Sequence, residues 1–334
     1  MKKAVFYILL LPILLLIYSA AGCSTEPAEL HPVQVSVTPF LGEAASFIAL
    51  EKGFFRESGL DVTIIRNRNG HESLQQLINN ETDIAHLAET PYLHYLIKKA
   101  KNPHVMPIVI LAEMMLVNDI QKIVARRDSG INRPDDIQGK RVGFTPNTQS
   151  EYFLDSFLLE YQLTKTDVDL QPMPVPDQVR ALTAGEVDAI AVWEPHAAET
   201  ALMLGENALK MQTRLTYSTL WMAFASRELS QTDPQILESY LSALFKAQKF
   251  IRDNPAESKK ILAEYISSPP EVIEELWDQI DFKLLLTERM LFLIEDQIQW
   301  AHSRGYEVSR PDWNAVIFPD ALKKVNPNGY SLFR

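Results

Sequence analysis

The chain has 334 residues and a mass of 37.9 kDa. This length exceeds what a single compact hydrophobic core usually holds together, and it fits two lobes. Hydrophobic residues make up 46% of the sequence, which excludes a disordered chain and predicts a packed interior. The formal net charge is −11. Together with the lack of a long Lys/Arg run, this charge argues against nucleic acid as a partner.

The N-terminal segment has the pattern of an export signal. Two lysines precede an uncharged run, Ala4–Ala21, that is dense in Leu and Ile, and small residues then lead to Cys23. A small-residue triplet ending in cysteine resembles the bacterial lipoprotein signal, although Ala20 stands where that signal usually has Leu. The alternative is an uncleaved transmembrane anchor, but the run is barely long enough to span a bilayer and contains Pro12.

Cys23 is the only cysteine of the sequence, so neither a disulfide, a cysteine metal site nor a thiol nucleophile is expected in the folded part. We predict that residues 1–22 form a lipoprotein signal peptide and that residues 23–32 form a tether. The mature chain would then be anchored to the membrane through a lipid on Cys23. The expected location is extracytoplasmic, in the periplasm or on the outer face of the cytoplasmic membrane.

Extended and helical patterns alternate along the rest of the chain. In the first half, the predicted strands are 33–38, 60–65, 84–88 and 106–111, and the predicted helices are 43–52, 72–79 and one opened by Pro91. The second half has predicted strands at 141–145, 187–193 and 220–225, with helices at 150–161 and 178–184. Four helices follow at 233–253, 257–266, 271–282 and 287–304. This alternation indicates βαβ units, a mostly parallel sheet and an α/β fold.

The two halves match at individual residues, which predicts an internal structural repeat. Four residues of the first half each have a counterpart of the same type at one constant distance further along the chain. Leu77, Glu81, Asp83 and Glu89 correspond to Leu182, Glu186, Asp188 and Glu194. Asn80 and Gly185 stand where the helices end, and a left-handed residue is needed there. Asp83 and Asp188 precede buried strands, where a short carboxylate can accept local backbone N–H groups.

Glu89 and Glu194 lie where the matched strands end, and ligands of open α/β sheets bind beyond the carboxyl ends of strands. A buried carboxylate is costly unless donors surround it. These two therefore either accept from ligand N–H groups or from backbone N–H groups of the following helix. We expect at least one to be a ligand acceptor, with Glu194 ahead because Trp193 can supply an adjoining ring. Tyr92 and Trp221 are further candidates for stacking on a planar ligand.

Two helix-opening loops are also candidates. In the loop 145–150 we predict Ser150 as the N-cap, and a helix start offers free N–H groups and partial positive charge to an anionic or carbonyl group. The matching loop 38–43 is less polar and offers the ring of Phe40. Alternatively, Ser150 only caps its helix and Phe40 only packs. The predicted ligand-binding residues are Phe40, Glu43, Glu89, Thr90, Tyr92, Thr145, Asn147, Thr148, Gln149, Ser150, Trp193, Glu194 and Trp221. No catalytic residue, metal site or cofactor is predicted, because the histidines are scattered.

Six stretches, in this order and spacing, resemble one group of periplasmic solute-binding proteins, the nitrate/sulfonate/taurine and thiamine-pyrimidine-precursor (NMT1/THI5-like) family. The stretches are ALEKGFF at 49–55 with GLDV at 59–62, GKRVG at 139–143, AGEVDA at 184–189 with WEP at 193–195, and LKKVNP at 322–327. The resemblance covers about residues 33–327. It implies the two-lobed type II periplasmic-binding-protein fold, in which each lobe is a mixed, mostly parallel sheet flanked by helices and the ligand lies between the lobes.

By the same resemblance, lobe one comprises residues 33–118 and 228–334, and lobe two comprises residues 119–227. The hinge would lie at Asn118–Lys122 and near Ser226, and ligand binding would close the lobes.

The implied function is capture of a small organic molecule, either a zwitterionic taurine-like sulfonate or a nitrogen heterocycle, for the permease and ATPase subunits of an ABC importer. We expect a monomer that is not an enzyme. The alternatives are a ligand-sensing module for a membrane kinase and a biosynthetic enzyme of the thiamine-pyrimidine type. The export pattern argues against the enzyme.

Overall fold

The structure is a computed structural model that describes residues 29–100, 106–214 and 217–332. The predicted signal peptide and Cys23 lie outside the described residues. Within them, no helix is long and apolar enough to cross a bilayer.

The secondary structure alternates between strands and helices, as expected for an α/β chain. The strands are β1 (His31–Val37), β2 (Leu60–Arg66), β3 (Ile84–Ala88), β4 (Ile108–Asn118), β5 (Gln121–Arg126), β6 (Arg141–Phe144), β7 (Asp169–Pro172), β8 (Ala189–Trp193), β9 (Ala208–Met211), β10 (Ser218–Ser226) and β11 (Ile280–Asp281). The α-helices are α1 (Ala44–Glu51), α2 (Phe54–Glu57), α3 (Gly70–Ile78), α4 (Glu89–Ala100), α5 (Gln149–Glu160), α6 (Val175–Ala184), α7 (His196–Leu204), α8 (Arg227–Thr232), α9 (Pro234–Asp253), α10 (Pro255–Ile266), α11 (Pro270–Trp277), α12 (Glu288–Ser303), α13 (Trp313–Val316) and α14 (Asp320–Val325).

Two mixed sheets organise the described chain, and we call the part built on each sheet a lobe. The six-stranded sheet of the first lobe has the order β11-β4-β10-β3-β1-β2, and the five-stranded sheet of the second lobe has the order β7-β6-β8-β5-β9. In each sheet three neighbouring strands are parallel and the strand after them is antiparallel. The order β2-β1-β3-β10-β4 thus repeats as β7-β6-β8-β5-β9, as the matched residues predict.

The matched aspartates perform the same task in both lobes. Asp83 Oδ2 accepts the N–H of Gln34 in β1 at 2.8 Å, and Asp188 Oδ2 accepts the N–H of Arg141 in β6 at 2.9 Å. Their own N–H groups donate back to the carbonyls of the same two residues, each at 2.9 Å. Asn80 and Gly185 are both left-handed where they end their helices. The interpretation of Asn80 and Gly185 is confirmed. The aspartates accept backbone N–H groups as expected, but those groups belong to a neighbouring strand rather than to the local chain.

The chain crosses between the lobes twice, and the second crossing differs from the expectation. The first lies between Asn118 and Gln121, inside the predicted hinge. The return lies between Met211 and Ser218, so the boundary expected near Ser226 is wrong. The strand β10 pairs with β3 and β4 of the first lobe, and an apolar strand does not reveal its pairing partners from sequence alone.

Other differences concern short or edge elements. The strand predicted to end at Leu111 continues to Asn118, and the helix predicted over 271–282 ends at Trp277. The strands β5, β7 and β9 have no counterpart among the predicted elements. The strands β7 and β9 lie at the edges of their sheet, whereas β5 lies between β8 and β9. All three are short, and four to six residues give few positions in which an alternating pattern can be recognised.

The ion pair at Asp188 generates a stability prediction. In Asp188→Ala, the Arg141 N–H and guanidinium lose their shared acceptor, so the free energy of unfolding should fall by about 1–3 kcal/mol at pH 7. The hydrogen-bonded Arg141 lowers the pKa of Asp188 to about 2. Its contribution is therefore present above about pH 4 and is lost as the pH falls towards 2.

Urea unfolding at pH 7 and pH 3 should show the difference between wild type and Asp188→Ala shrinking at the lower pH. The control is Asp83→Ala, which loses one backbone hydrogen bond and should be the milder variant. Equal stability of wild type and Asp188→Ala at pH 7 would contradict the structural role.

Candidate ligand site between the two lobes

A cavity of about 40 Å³ lies where the strand ends of the two lobes face each other. Its wall takes side chains from both lobes. The lining residues are Thr38, Phe40, Asn69, Gly70, Ala88, Pro91, Gln121, Thr148, Gln149, Trp193 and Trp221. The position agrees with the rule that α/β sheets bind ligands beyond the carboxyl ends of their parallel strands. Thr38 follows β1, Ala88 ends β3 and Trp193 ends β8.

Two helices, one from each lobe, begin at the cavity wall. Helix α3 begins at Gly70, and its cap Asn69 accepts the N–H of Glu72 at 3.1 Å. Helix α5 begins at Gln149, and its cap Thr148 accepts the N–H of Ser150 at 3.2 Å. None of the eleven described lining residues carries a formal charge, so positive potential at the wall comes from the helix starts. Such a wall accommodates an anionic group without a lysine or arginine.

One face of the cavity is aromatic. The rings of Phe40 and Trp221 lie 4.7 Å apart between centroids at an angle of 45°. Trp221 Nε1 donates to Glu43 Oε1 at 2.8 Å, which fixes the indole orientation. A Cβ on Gly42 would lie 2.6 Å from Cδ1 of Trp221, so this close approach requires glycine. Trp193 contributes a third ring from the second lobe.

Glu43 lies behind the aromatic face and does not line the cavity. Its other oxygen is 2.8 Å from His86 Nδ1, and His86 Nε2 is 3.0 Å from the hydroxyl of Tyr240. All three side chains are buried, and each has a hydrogen-bond partner. This network satisfies a carboxylate that would otherwise be costly to bury. Glu43 therefore influences the shape of the cavity indirectly, by fixing the orientation of the Trp221 indole.

Glu89 also lies just behind the wall, where it joins the two lobes. Its Oε1 accepts from Gln149 Nε2 of the second lobe at 2.6 Å and from Gln297 Nε2 of α12 at 2.9 Å. Its Oε2 accepts the N–H of Leu220 at 3.0 Å. Burial raises the pKa of Glu89 to about 7, although these hydrogen bonds oppose the rise. Ionising Glu89 therefore opposes folding as the pH rises from about 4.5 through 7.

Glu194, the matched residue in the second lobe, does not reach the cavity wall. Its Oε2 accepts the N–H of Ala198 in the first turn of α7 at 2.7 Å, and its Oε1 lies 3.8 Å from Lys210 Nζ. Burial raises its pKa. The side chain lines a separate surface pocket with Lys122 and Lys210. The expectation that both glutamates reach one cleft is not met, because Glu194 turns back onto its own helix.

Of the residues predicted for the site, five line the cavity: Phe40, Thr148, Gln149, Trp193 and Trp221. Thr90 and Tyr92 are buried, and Tyr92 packs on Phe224 at 5.2 Å between centroids. Asn147 is exposed in a left-handed turn.

Two residues of the loop 145–150 donate side-chain hydrogen bonds to main-chain carbonyl groups. Thr145 Oγ1 donates to the carbonyl of Met173 at 3.3 Å. Ser150 is not the cap that we predict, because its hydroxyl donates to the carbonyl of Ala191 at 2.6 Å. Both residues therefore anchor the loop and lie outside the cavity wall.

Sequence reasoning missed six lining residues: Thr38, Asn69, Gly70, Ala88, Pro91 and Gln121. Asn69-Gly70 carries a recognisable capping signal before a helix. Thr38 and Ala88 lie at strand ends and follow from the same rule that pointed to Glu89. No local sequence signal points to Gln121. It reaches the cavity because it begins β5, directly after the chain crosses from the first lobe to the second. Within residues 29–100, 106–214 and 217–332, no group of three or more His, Cys, Asp or Glu side chains is placed to hold a metal ion.

The family model described as NMT1/THI5 like matches residues 43–258, which is more than half of the chain. The chain belongs to the NMT1/THI5-like family. It is 26% identical over 275 residues to the putative binding protein YtlA of Bacillus subtilis, covering 78% of each chain. It is 26% identical over 156 residues to the putative aliphatic sulfonates-binding protein of Escherichia coli, covering 47% of this chain and 49% of that one.

A solved structure supports the fold of this NMT1/THI5-like protein. The alkanesulfonate-binding protein SsuA from Xanthomonas axonopodis pv. citri bound to MOPS superimposes with a TM-score of 0.69 and 16% identity. The match covers 87% of this chain and 99% of that one. The predicted periplasmic-binding-protein fold, with two mixed sheets flanked by helices, is confirmed. The sheets of the described chain are not mostly parallel as expected, because three of the five strand pairs in the first sheet and two of the four in the second are antiparallel.

The contact between Gly42 and Trp221 generates a packing prediction. In Gly42→Ala, the added methyl group must displace the indole, which should cost about 1–3 kcal/mol of unfolding free energy as overpacking. In a Trp221→Ala background Cγ and the whole ring are absent, so the same methyl group should cost much less. Thermal melts of the two single variants and the double variant measure this coupling. Additive costs would show that the indole does not constrain position 42.

Proposed function

We propose that this chain is a lipid-anchored, extracytoplasmic solute-binding protein that captures a small organosulfonate, of the taurine type, between its lobes for an ABC importer. The observation that carries this proposal is the cavity, whose uncharged wall combines the starts of α3 and α5 with an aromatic face. Sulfonate oxygens are acceptors that need N–H groups and partial positive charge. A short carbon chain packs on indole and phenyl rings.

The relatives favour this ligand class over the nitrogen heterocycle that the sequence left open. One carries the name of an aliphatic sulfonates-binding protein, and a structural neighbour is an alkanesulfonate-binding protein. The names of these two proteins describe binding rather than catalysis, which supports a binding role here. A ligand held at two helix starts from opposite lobes would contact both lobes at once, as closure requires.

Side-chain contacts between the lobes support closure around the ligand. On α12 of the first lobe, Asp296 accepts from the hydroxyl of Tyr152 at 2.9 Å. Buried Asp155 of the second lobe accepts from Trp300 Nε1 at 2.6 Å and lies 2.7 Å from Arg304 Nε. These bonds form only when the lobes are together. These contacts support the assignment of this arrangement as the closed form, from which ligand entry would require them to open.

Binding is tested by calorimetry with taurine and propane-1-sulfonate at pH 8, with sodium nitrate and a pyrimidine as comparison ligands. We expect the sulfonates to bind and to raise the unfolding free energy by about 2.7 kcal/mol at 100 times the dissociation constant. Solution scattering should show a smaller radius of gyration with bound sulfonate. If only the pyrimidine binds, the proposed ligand class is wrong and a nitrogen heterocycle takes its place. An unchanged radius of gyration at saturating ligand would contradict closure of the lobes.

Anchoring and transport are tested in a strain that lacks the gene. The wild-type gene should restore uptake of labelled taurine, and its product should incorporate a radioactive fatty acid. Cys23→Ala removes the only thiol that can be acylated, so its product should remain unlabelled. Unlabelled wild-type protein would refute the lipid anchor. Undiminished uptake in the deletion strain would refute transport and favour ligand sensing.

A further inference from the structure

We infer that the cavity selects a ligand bearing a hydrogen-bond donor, such as an ammonium group, because a buried chain of side chains anchored on Glu89 turns the carbonyl oxygen of Gln121 towards the ligand. We call Glu89, Gln149 and Gln121 the amide chain. The inference rests on the proposed function for the sulfonate end of the ligand. It concerns the other end, and it distinguishes aminosulfonates from plain alkanesulfonates.

The amide chain runs from the junction of the lobes to the cavity. Gln149 Nε2 donates to Glu89 Oε1 at 2.6 Å, and Gln121 Nε2 donates to Gln149 Oε1 at 3.2 Å. Gln121 and Gln149 both line the cavity, and only 2% and 5% of their surfaces are exposed. Gln121 Oε1 is buried and has no hydrogen-bond partner among the residues that the structure describes. The chain therefore ends on an acceptor without a donor.

The direction of the chain follows from what each group can donate. The N–H of Leu220 can only donate, so Glu89 Oε2 must accept. An ionised carboxylate only accepts, so Gln149 must present its nitrogen to Glu89 Oε1. The oxygen of Gln149 then faces Gln121, which must in turn present its nitrogen to Gln149. The oxygen of Gln121 is thereby left as the free end of the amide chain, and this is the end assigned to the ligand. One charge thus orients two amides across the junction.

The free end of the amide chain, Gln121 Oε1, determines which ligand group is complementary to it. A buried acceptor that finds no donor costs free energy, whereas a donor on the ligand gains a hydrogen bond there. An ammonium group fits best, because bonds to charged groups are the stronger ones. A methyl group at the same place leaves Gln121 Oε1 unsatisfied, and a carboxylate would meet it as a second acceptor. Glu89 and Gln149 are positioning residues for this contact.

Replacing the charged Glu89 by a neutral residue should reverse the direction of the hydrogen bonds along the amide chain. In Glu89→Gln, the new amide must keep its oxygen on the N–H of Leu220, so its nitrogen faces Gln149. Gln149 must then present oxygen to position 89 and nitrogen to Gln121. Gln121 turns in response, and its nitrogen replaces its oxygen at the cavity. The variant cavity therefore offers a donor where the wild type offers an acceptor.

The experiment compares the affinities of taurine and propane-1-sulfonate, which differ by an ammonium group in place of a methyl group, at pH 8, where Glu89 is ionised. Wild type should bind taurine roughly 10- to 100-fold more tightly. Glu89→Gln should lose this preference. It should also gain affinity for 3-sulfopropanoate, whose carboxylate accepts from the turned amide. Glu194→Gln is the matched control, because Glu194 holds a backbone N–H away from the cavity, and its ratio should equal that of wild type.

A second variant guards against misfolding of Glu89→Gln. Gln121→Met removes the acceptor and keeps the side-chain length, so its affinity ratio should fall towards one. A ratio near one in wild type, or an unchanged ratio in folded Glu89→Gln and Gln121→Met, would overturn the inference while leaving sulfonate binding intact.

Neutron diffraction from ligand-free, deuterated crystals at pD 8 tests the amide chain without any ligand, because deuterium marks the amide nitrogen. Gln121 oxygen at the cavity supports the inference even if both sulfonates fail to bind, in which case only the proposed function fails. Gln121 nitrogen at the cavity overturns the inference whatever the binding data are.

Discussion

The burial of one carboxylate at the junction of the lobes constrains much of the cavity. Glu89 is fully buried, and it accepts hydrogen bonds from a backbone N–H and from two glutamine side chains that belong to different lobes. Removing a carboxylate from water is costly, and burial raises the pKa of Glu89 to about 7 although the hydrogen bonds oppose the rise. Gln149 is held in one orientation as a result, and the closed arrangement of the lobes is what supplies that donor.

The internal repeat shows how one backbone plan yields two different uses of the same residue. Asp83 and Asp188 hold equivalent strands by equivalent bonds, because their partners are main-chain groups that the fold itself supplies. Glu89 and Glu194 diverge because their partners differ. Glu194 meets the N–H of Ala198 in α7, whereas Glu89 meets the N–H of Leu220 in β10, the strand that follows the return to the first lobe. Matched positions predict matched geometry only as far as the surroundings also match.

The aromatic face depends on a second buried carboxylate. Glu43 fixes the indole of Trp221 on one side and His86 on the other, while Gly42 leaves room for the ring. Neither Glu43 nor Gly42 touches the cavity. Its shape is therefore determined by residues one layer behind the wall, and relatives of this fold can present different walls on the same sheets.

The sequence by itself determined the α/β alternation, the internal repeat and the strand ends at which the cavity lies, because periodicity and capping residues act over a few positions. It also identified Phe40, Thr148, Gln149, Trp193 and Trp221. Only the tertiary structure decided that β10 returns to the first lobe, that Glu89 meets Gln149 and Gln297, and that Gln121 reaches the cavity. Those outcomes depend on pairing between segments that are far apart in sequence, and local patterns do not encode which partner a strand or a carboxylate will meet.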